Sequence, residues 1–181
     1  MSRIPQTTLD SAPAASRPTL EAIKGAFGVV PNMFATVAQS PAALAALWGS
    51  FGALGGGRLP AALGEQIAVA VANRNECGYC LAAHTALGRK AGVSAEAMAQ
   101  AQTGHSDDPA TAAALAFALK VVERRAQVDD ADVQVLRDAG FDDEAIVEIL
   151  AHVALNLFTN YVNVAFDVPL DFPQVALRRA A

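Results

Sequence analysis

The 181-residue sequence predicts an all-α helical bundle, and three observations carry that expectation. Apolar residues make up 53% of the chain, much of it alanine, while aromatics supply only 6%. Alanine is the best helix former and fits poorly on a pleated sheet. Helix start and stop signals follow one another at short spacing, and no stretch shows a convincing strand. A chain of this length suits one domain with a sizeable core.

The elements follow in order. Residues 1–17 are polar and contain proline, which suggests a flexible N-terminal arm, ordered only where it packs on another surface. Residues 18–181 then read as a single helical domain. Pro18 opens a helix that closes near Gly28. Pro31 to Ala38 and Pro41 to Leu54 read as two more, since proline is welcome in a first turn. Gly55-Gly56-Gly57 is a break, and Pro60 opens a helix reaching about Asn73. After Arg74-Asn75-Glu76 a helix starts near Cys77 and ends at Gly92, a C′ glycine. Ser94 caps a short helix that stops before Gly104. Asp108 and Pro109 begin the next, Asp129 or Asp130 another that Gly140 closes, and Asp142 a long last one reaching Phe166. Pro169 and Pro173 make the tail irregular.

Net charge is −5, with no basic run. Phosphate backbones need clustered Lys or Arg, so nucleic acid is not an expected partner. The N-terminus lacks the apolar core of a signal peptide. The longest apolar stretch, Ala145 to Phe166, is interrupted by Glu148, His152 and three asparagines, each costly in lipid. It reads as a buried helix, which makes the expected location cytoplasmic with no membrane partner. The segment Leu63 to Asn73 has little charge around its circumference. Burial against other subunits would hide such helices, so a homo-oligomer is expected.

The chemistry concentrates at Cys77-Gly78-Tyr79-Cys80 and His84. Cys77 and Cys80 are three residues apart on one helix, and His84 lies four beyond Cys80, so all three share a face. Cys77 at the helix N-terminus meets exposed N–H groups that favour a thiolate, and His84 can accept or relay a proton. Glu65 lies eight residues before Asn73, about 12 Å back along its helix, and His84 lies about 10 Å past Cys77. Antiparallel packing across the short loop brings Glu65 level with His84. A carboxylate in an apolar helix needs a partner, and the pair would form a proton relay. The same four residues could instead hold a structural zinc ion. His152 reads as a core or interface residue, Asn156, Asn160 and Asn163 as structural groups, Trp48 and Phe51 as core or subunit contacts, and His105 as solvated.

Glu65, eleven intervening residues and the run Cys77-Gly78-Tyr79-Cys80-Leu81-Ala82-Ala83-His84 resemble the signature of alkylhydroperoxidase AhpD-like proteins, in the carboxymuconolactone decarboxylase superfamily. Gly28 to Phe34 and Asn156 to Asn163 resemble its peroxidase-related branch, so the likeness spans about residues 20 to 173. The resemblance implies an AhpD-like helical bundle, a trimer or hexamer, and reduction of a hydroperoxide at the expense of a thiol reductant, with no cofactor or metal. By the same resemblance Cys80 is the peroxidatic thiol, Cys77 resolves it to a disulfide, and His84 with Glu65 forms the proton relay. Tyr79 departs from the pattern, which carries histidine there. Members with decarboxylase activity lack the cysteine pair, so a decarboxylase-like enzyme is the lesser inheritance.

Overall fold

The structure, a computed structural model, describes residues 2–178. Among these, nine α-helices follow a 3-10 turn at Ala14–Ser16: α1 (Arg17–Phe27), α2 (Asn32–Val37), α3 (Pro41–Gly55), α4 (Ala61–Arg74), α5 (Gly78–Lys90), α6 (Ala95–Ala101), α7 (Pro109–Glu123), α8 (Asp130–Asp138) and α9 (Asp143–Phe166). The all-α expectation holds, and most helix starts and several stops have the local cause read from the sequence. The Ser40, Ser94, Asp108 and Asp142 side chains accept from the backbone N–H three residues on. Asp129 and Asp132 cap each other's backbone at the start of α8. Gly28, Gly104 and Gly140 end their helices with φ near +80 to +95, a region open to glycine at little cost.

Helix α4 is the axis of the bundle. It packs on α5, α6, α7 and α9, and residues 66–72 are all buried. That environment explains why its sequence is apolar around most of its circumference. Its antiparallel partner α5 follows after a three-residue loop, in which Glu76 adopts a left-handed φ of 54°. Helix α9 is long and apolar enough to span a membrane by length and composition. It nevertheless buries Ile149, Val153, Asn156, Asn160 and Asn163 inside the domain. Its outer side leaves Val147, Leu150, Phe158, Tyr161 and Val164 exposed at helical spacing.

Both chain ends lie on the bundle. Thr7 donates to the Ala35 carbonyl through N–H and Oγ1, at 3.0 and 2.9 Å, and the Arg3 N–H donates to Phe166 O at 2.7 Å. Ser16 is buried, and its hydroxyl donates to Ala38 O. The surface that the arm needs is therefore supplied by α2 and α9 of its own chain. The tail after α9 is irregular, and it returns across α2. The Asn32 N–H donates to Asp171 Oδ2 at 2.6 Å, and Asn32 Nδ2 to Pro169 O at 3.0 Å.

Ile67 on α4 is fully buried at the centre of this packing. Ile67→Ala is expected to cost about 2–5 kcal/mol of unfolding free energy, transfer and cavity terms together. Urea denaturation with an unchanged m-value checks this.

Candidate active site

The α4–α5 hairpin aligns two side chains nineteen residues apart. His84 Nδ1 lies 2.7 Å from Glu65 Oε2, with the two side chains 12% and 22% exposed. Desolvation pushes the His84 pKa down, but the Glu65 charge and hydrogen bond, aided by Cys80, outweigh it and raise the net value. The ion pair thus keeps His84 protonated at a higher pH than a free imidazole.

Cys77 and Cys80 are both buried and unbridged. Cys77 is the N-cap of α5, and its Sγ accepts the Cys80 N–H at 3.3 Å. The helix-end argument assigned the thiolate preference to Cys77, and the structure reverses that assignment. Cys77 is pushed up, first by donating its proton to Cys80 and then by burial. Cys80 is pulled from 9.0 down to about 6. The Cys77 thiol contributes most, and burial opposes it. His84's charge, the Asn163 amide and the Thr159 hydroxyl add to the lowering. The Asn163 contact is direct, with Nδ2 donating to Cys80 Sγ at 3.1 Å. One thiolate is shared by the pair, and donors converge on Cys80.

Asn163 and Thr159 come from α9, so an asparagine whose sequence context favours a structural role contacts the Cys80 sulfur. Asn160 keeps a structural role, accepting from Asn75 Nδ2 at 2.9 Å. Tyr79 does not stand in for a histidine. Its hydroxyl accepts from the Met33 N–H at 3.3 Å, its ring meets Phe172 edge-on, and burial followed by Asp171 raises its pKa, so it remains a neutral phenol.

A small apolar cavity of about 50 Å³ reaches Cys80. Phe27, Phe34, Phe51, Tyr79, Phe172 and His84 contribute to its lining. A second cavity of about 260 Å³ contains Glu65, His152 and Asn156. Phe27, Phe51, His84 and Leu87 border both, so the imidazole stands where they meet. Phe51 thereby has a site role beyond core packing, whereas Trp48 packs on Phe27 and Phe34. His152 faces Gly64, and burial lowers its pKa. A larger concavity of about 690 Å³, near Asn73, Gln102 and Arg178, contains none of the four predicted residues.

The geometry lends the zinc reading no support. Glu65 turns to His84 Nδ1 and not toward a point shared with the sulfurs. Among the described residues no group of three His, Cys, Asp or Glu has metal-holding geometry.

The profile of the carboxymuconolactone decarboxylase family matches residues 38–124, which include Glu65, Cys77, Cys80 and His84. Helix α9, with Thr159 and Asn163, lies beyond the matched segment. A solved alkylhydroperoxidase AhpD core, a peroxidase-related protein from Ralstonia eutropha JMP134, is 31% identical with TM-score 0.85, over 94% of this chain and 92% of that one. A peroxidase-related protein from Silicibacter sp. TM1040 is 26% identical with TM-score 0.80, over 97% and 92%. The debrominase Bmp8 is 25% identical with TM-score 0.74, over 87% of each chain. No curated protein matches the chain.

A lowered thiol is charged above its pKa and protonated below it, so Cys80 should alkylate faster as pH rises through about 6 and level off above. Asn163→Ala and Cys77→Ala, each removing a donor to Cys80, should move that midpoint upward. Iodoacetamide rates on Cys80 from pH 4 to 9 measure it, and an unmoved midpoint in both variants would refute the convergence of donors.

Proposed function

The chain belongs to the carboxymuconolactone decarboxylase family, among its AhpD-like peroxidase-related members, and on that footing we propose that it is a thiol-dependent hydroperoxidase. The observation that carries this reading is a thiolate held at about 6 with a second thiol and a charged imidazole beside it. Cys80 Sγ attacks the terminal peroxide oxygen, and the O–O bond breaks. The departing alkoxide takes a proton from His84, which Glu65 keeps charged and oriented. Cys77 then attacks the resulting sulfenic acid, water leaves, and a Cys77–Cys80 disulfide remains. In sum, two thiols and one hydroperoxide give a disulfide, an alcohol and water.

The dimensions support an organic substrate. The space at Cys80 suits a hydroperoxyl group, and an alkyl tail fits the adjoining cavity of about 260 Å³ beyond His84. The exposed apolar stripe on α9 supports assembly as a homo-oligomer.

A second reading is favoured by the ring of aromatic side chains around Cys80 and by the likeness to a debrominase. The ring of a brominated aromatic would sit in the adjoining cavity of about 260 Å³, against Phe27 and Phe51, with its C–Br bond directed into the small space at Cys80. Transfer of bromine to sulfur leaves a carbanion for His84 to protonate, and Cys77 then expels bromide as the disulfide forms. Both readings use the same four residues.

Stoichiometric cumene hydroperoxide should consume both thiols of the reduced protein. Cys80→Ser should abolish turnover, and Cys77→Ser should leave a sulfenic acid that dimedone labels. Unchanged thiols with peroxide, together with bromide release from a brominated aromatic, would favour the second reading. Glu65→Gln should cut the peroxide rate by about 10²–10⁴-fold, the usual share of general acid catalysis. Stopped-flow peroxide consumption measures that loss.

A further inference from the structure

The two cysteines, both almost fully buried, border different spaces. Cys80 lines the aromatic cavity, and Cys77 does not. Cys77 instead lines a separate open groove of about 270 Å³ at the junction of the α4–α5 loop with the end of α9, and Cys80 does not reach it. Glu76 and Asp167 border this groove, and both hold left-handed backbone, with φ of 54° and 52°. Non-glycine residues in that region are strained, and such strain concentrates where function fixes the geometry. Both side chains are exposed carboxylates. Arg3 reaches the same helix end and donates to the Val164 and Ala165 carbonyls, so its charge offsets one of the two carboxylates. Two carboxylates against one guanidinium leave the approach to Cys77 net acidic. Asn163 also borders it, with its amide already on Cys80 Sγ.

We propose that this groove is the docking site of the reductant, and that the reductant is a thiol with a neutral or cationic group beside its sulfur. The inference rests on the redox reading of the cysteine pair. A reductant thiolate enters the groove and attacks Cys77 Sγ of the oxidised pair. The Cys77–Cys80 bond breaks, and its electrons leave on Cys80 Sγ, where the Asn163 amide receives the charge. A mixed disulfide joins the reductant to Cys77. A second reductant thiolate attacks the reductant's own sulfur, and Cys77 departs and takes a proton. In sum, two thiols become one disulfide and the cysteine pair is reduced. Attack at Cys77 is also the faster direction, because the more acidic thiol is the better leaving group. Oxidant and reductant thus use separate doors, and neither has to leave before the other arrives.

The test starts from protein oxidised with diamide, which forms the disulfide without any peroxide. Excess cysteamine is added, the reaction is quenched with acid, and the adduct is mapped by mass spectrometry. The adduct is expected on Cys77; an adduct on Cys80 overturns the proposal. Reduction rates with cysteamine, 2-mercaptoethanol and 3-mercaptopropionate are then each normalised to the rate with bis(2-hydroxyethyl) disulfide. Cysteamine is expected to exceed 3-mercaptopropionate by about tenfold, in line with charge steering. Glu76→Gln and Asp167→Asn, which preserve size and backbone preference, should collapse the ratio toward one. A ratio near one in the wild type overturns the groove assignment while leaving the redox reading standing. Failure of diamide to form an intramolecular disulfide removes both.

Discussion

A sulfur anion inside an apolar helical core is tolerable only where donors converge on it, and that requirement organises this molecule. The donors pull the Cys80 pKa well below that of an ordinary thiol, against the desolvation that burial imposes. No single element supplies them. Cys77 comes from the start of α5, His84 from one turn beyond Cys80, and Asn163 and Thr159 from α9. The carboxylate of Glu65 on α4 completes the set by holding His84 charged. Without the imidazolium, Glu65 would be a second negative charge near the sulfur and would oppose ionisation. With it, a cation stands between the carboxylate and the sulfur in the charge balance and favours the thiolate. The packing of α4 against both α5 and α9 is therefore an electrostatic requirement as well as a hydrophobic one.

The local architecture was legible in the sequence because its causes are local. Every helix start except that of α5, which Cys77 caps, carries a proline, serine or aspartate whose geometry acts within three residues, and several stops carry a glycine with positive φ. The meeting of Glu65 and His84 was legible as well, because an antiparallel hairpin with a short loop leaves little freedom in register. What could not be read is what arrives from far along the chain. Asn163 reaches Cys80 from 83 residues away, and nothing in its spacing separates it from Asn160, whose partner is Asn75. Phe172 lies in a segment whose prolines signal only irregularity, yet it helps line the cavity at Cys80.

The reversal between the two cysteines has a more specific cause. The helix-end rule concerns N–H groups pointing at a first-turn side chain, and Cys77 does accept one from Cys80. That pull, from the Cys80 and Tyr79 N–H groups on a buried sulfur, is weaker than the combined pull on its neighbour. In a pair close enough to share a proton, the residue with more donors takes the charge and the other becomes one of those donors. Sequence spacing reveals that two thiols are coupled, but the sign of the coupling depends on a third helix.

On the proposed redox reading, the same donor set lets one sulfur serve in both halves of a cycle. An attacking thiol is useful only when ionised, yet its nucleophilicity falls as its pKa falls, so the best compromise lies near or slightly below ambient pH. A value of about 6 satisfies that compromise in the forward step. In the return step the identical stabilisation makes Cys80 the preferred leaving group, which directs attack to Cys77. A tighter hold on the thiolate would speed release and blunt attack, and a looser one would do the opposite. Asn163 contributes to both, because its amide meets the sulfur at the point where charge begins one step and ends the other. The placement of Cys77 on a different cavity is, on the same proposal, the geometric counterpart of an electronic asymmetry: Cys80 borders the space ringed by aromatic side chains, and Cys77 borders the groove beside Glu76 and Asp167.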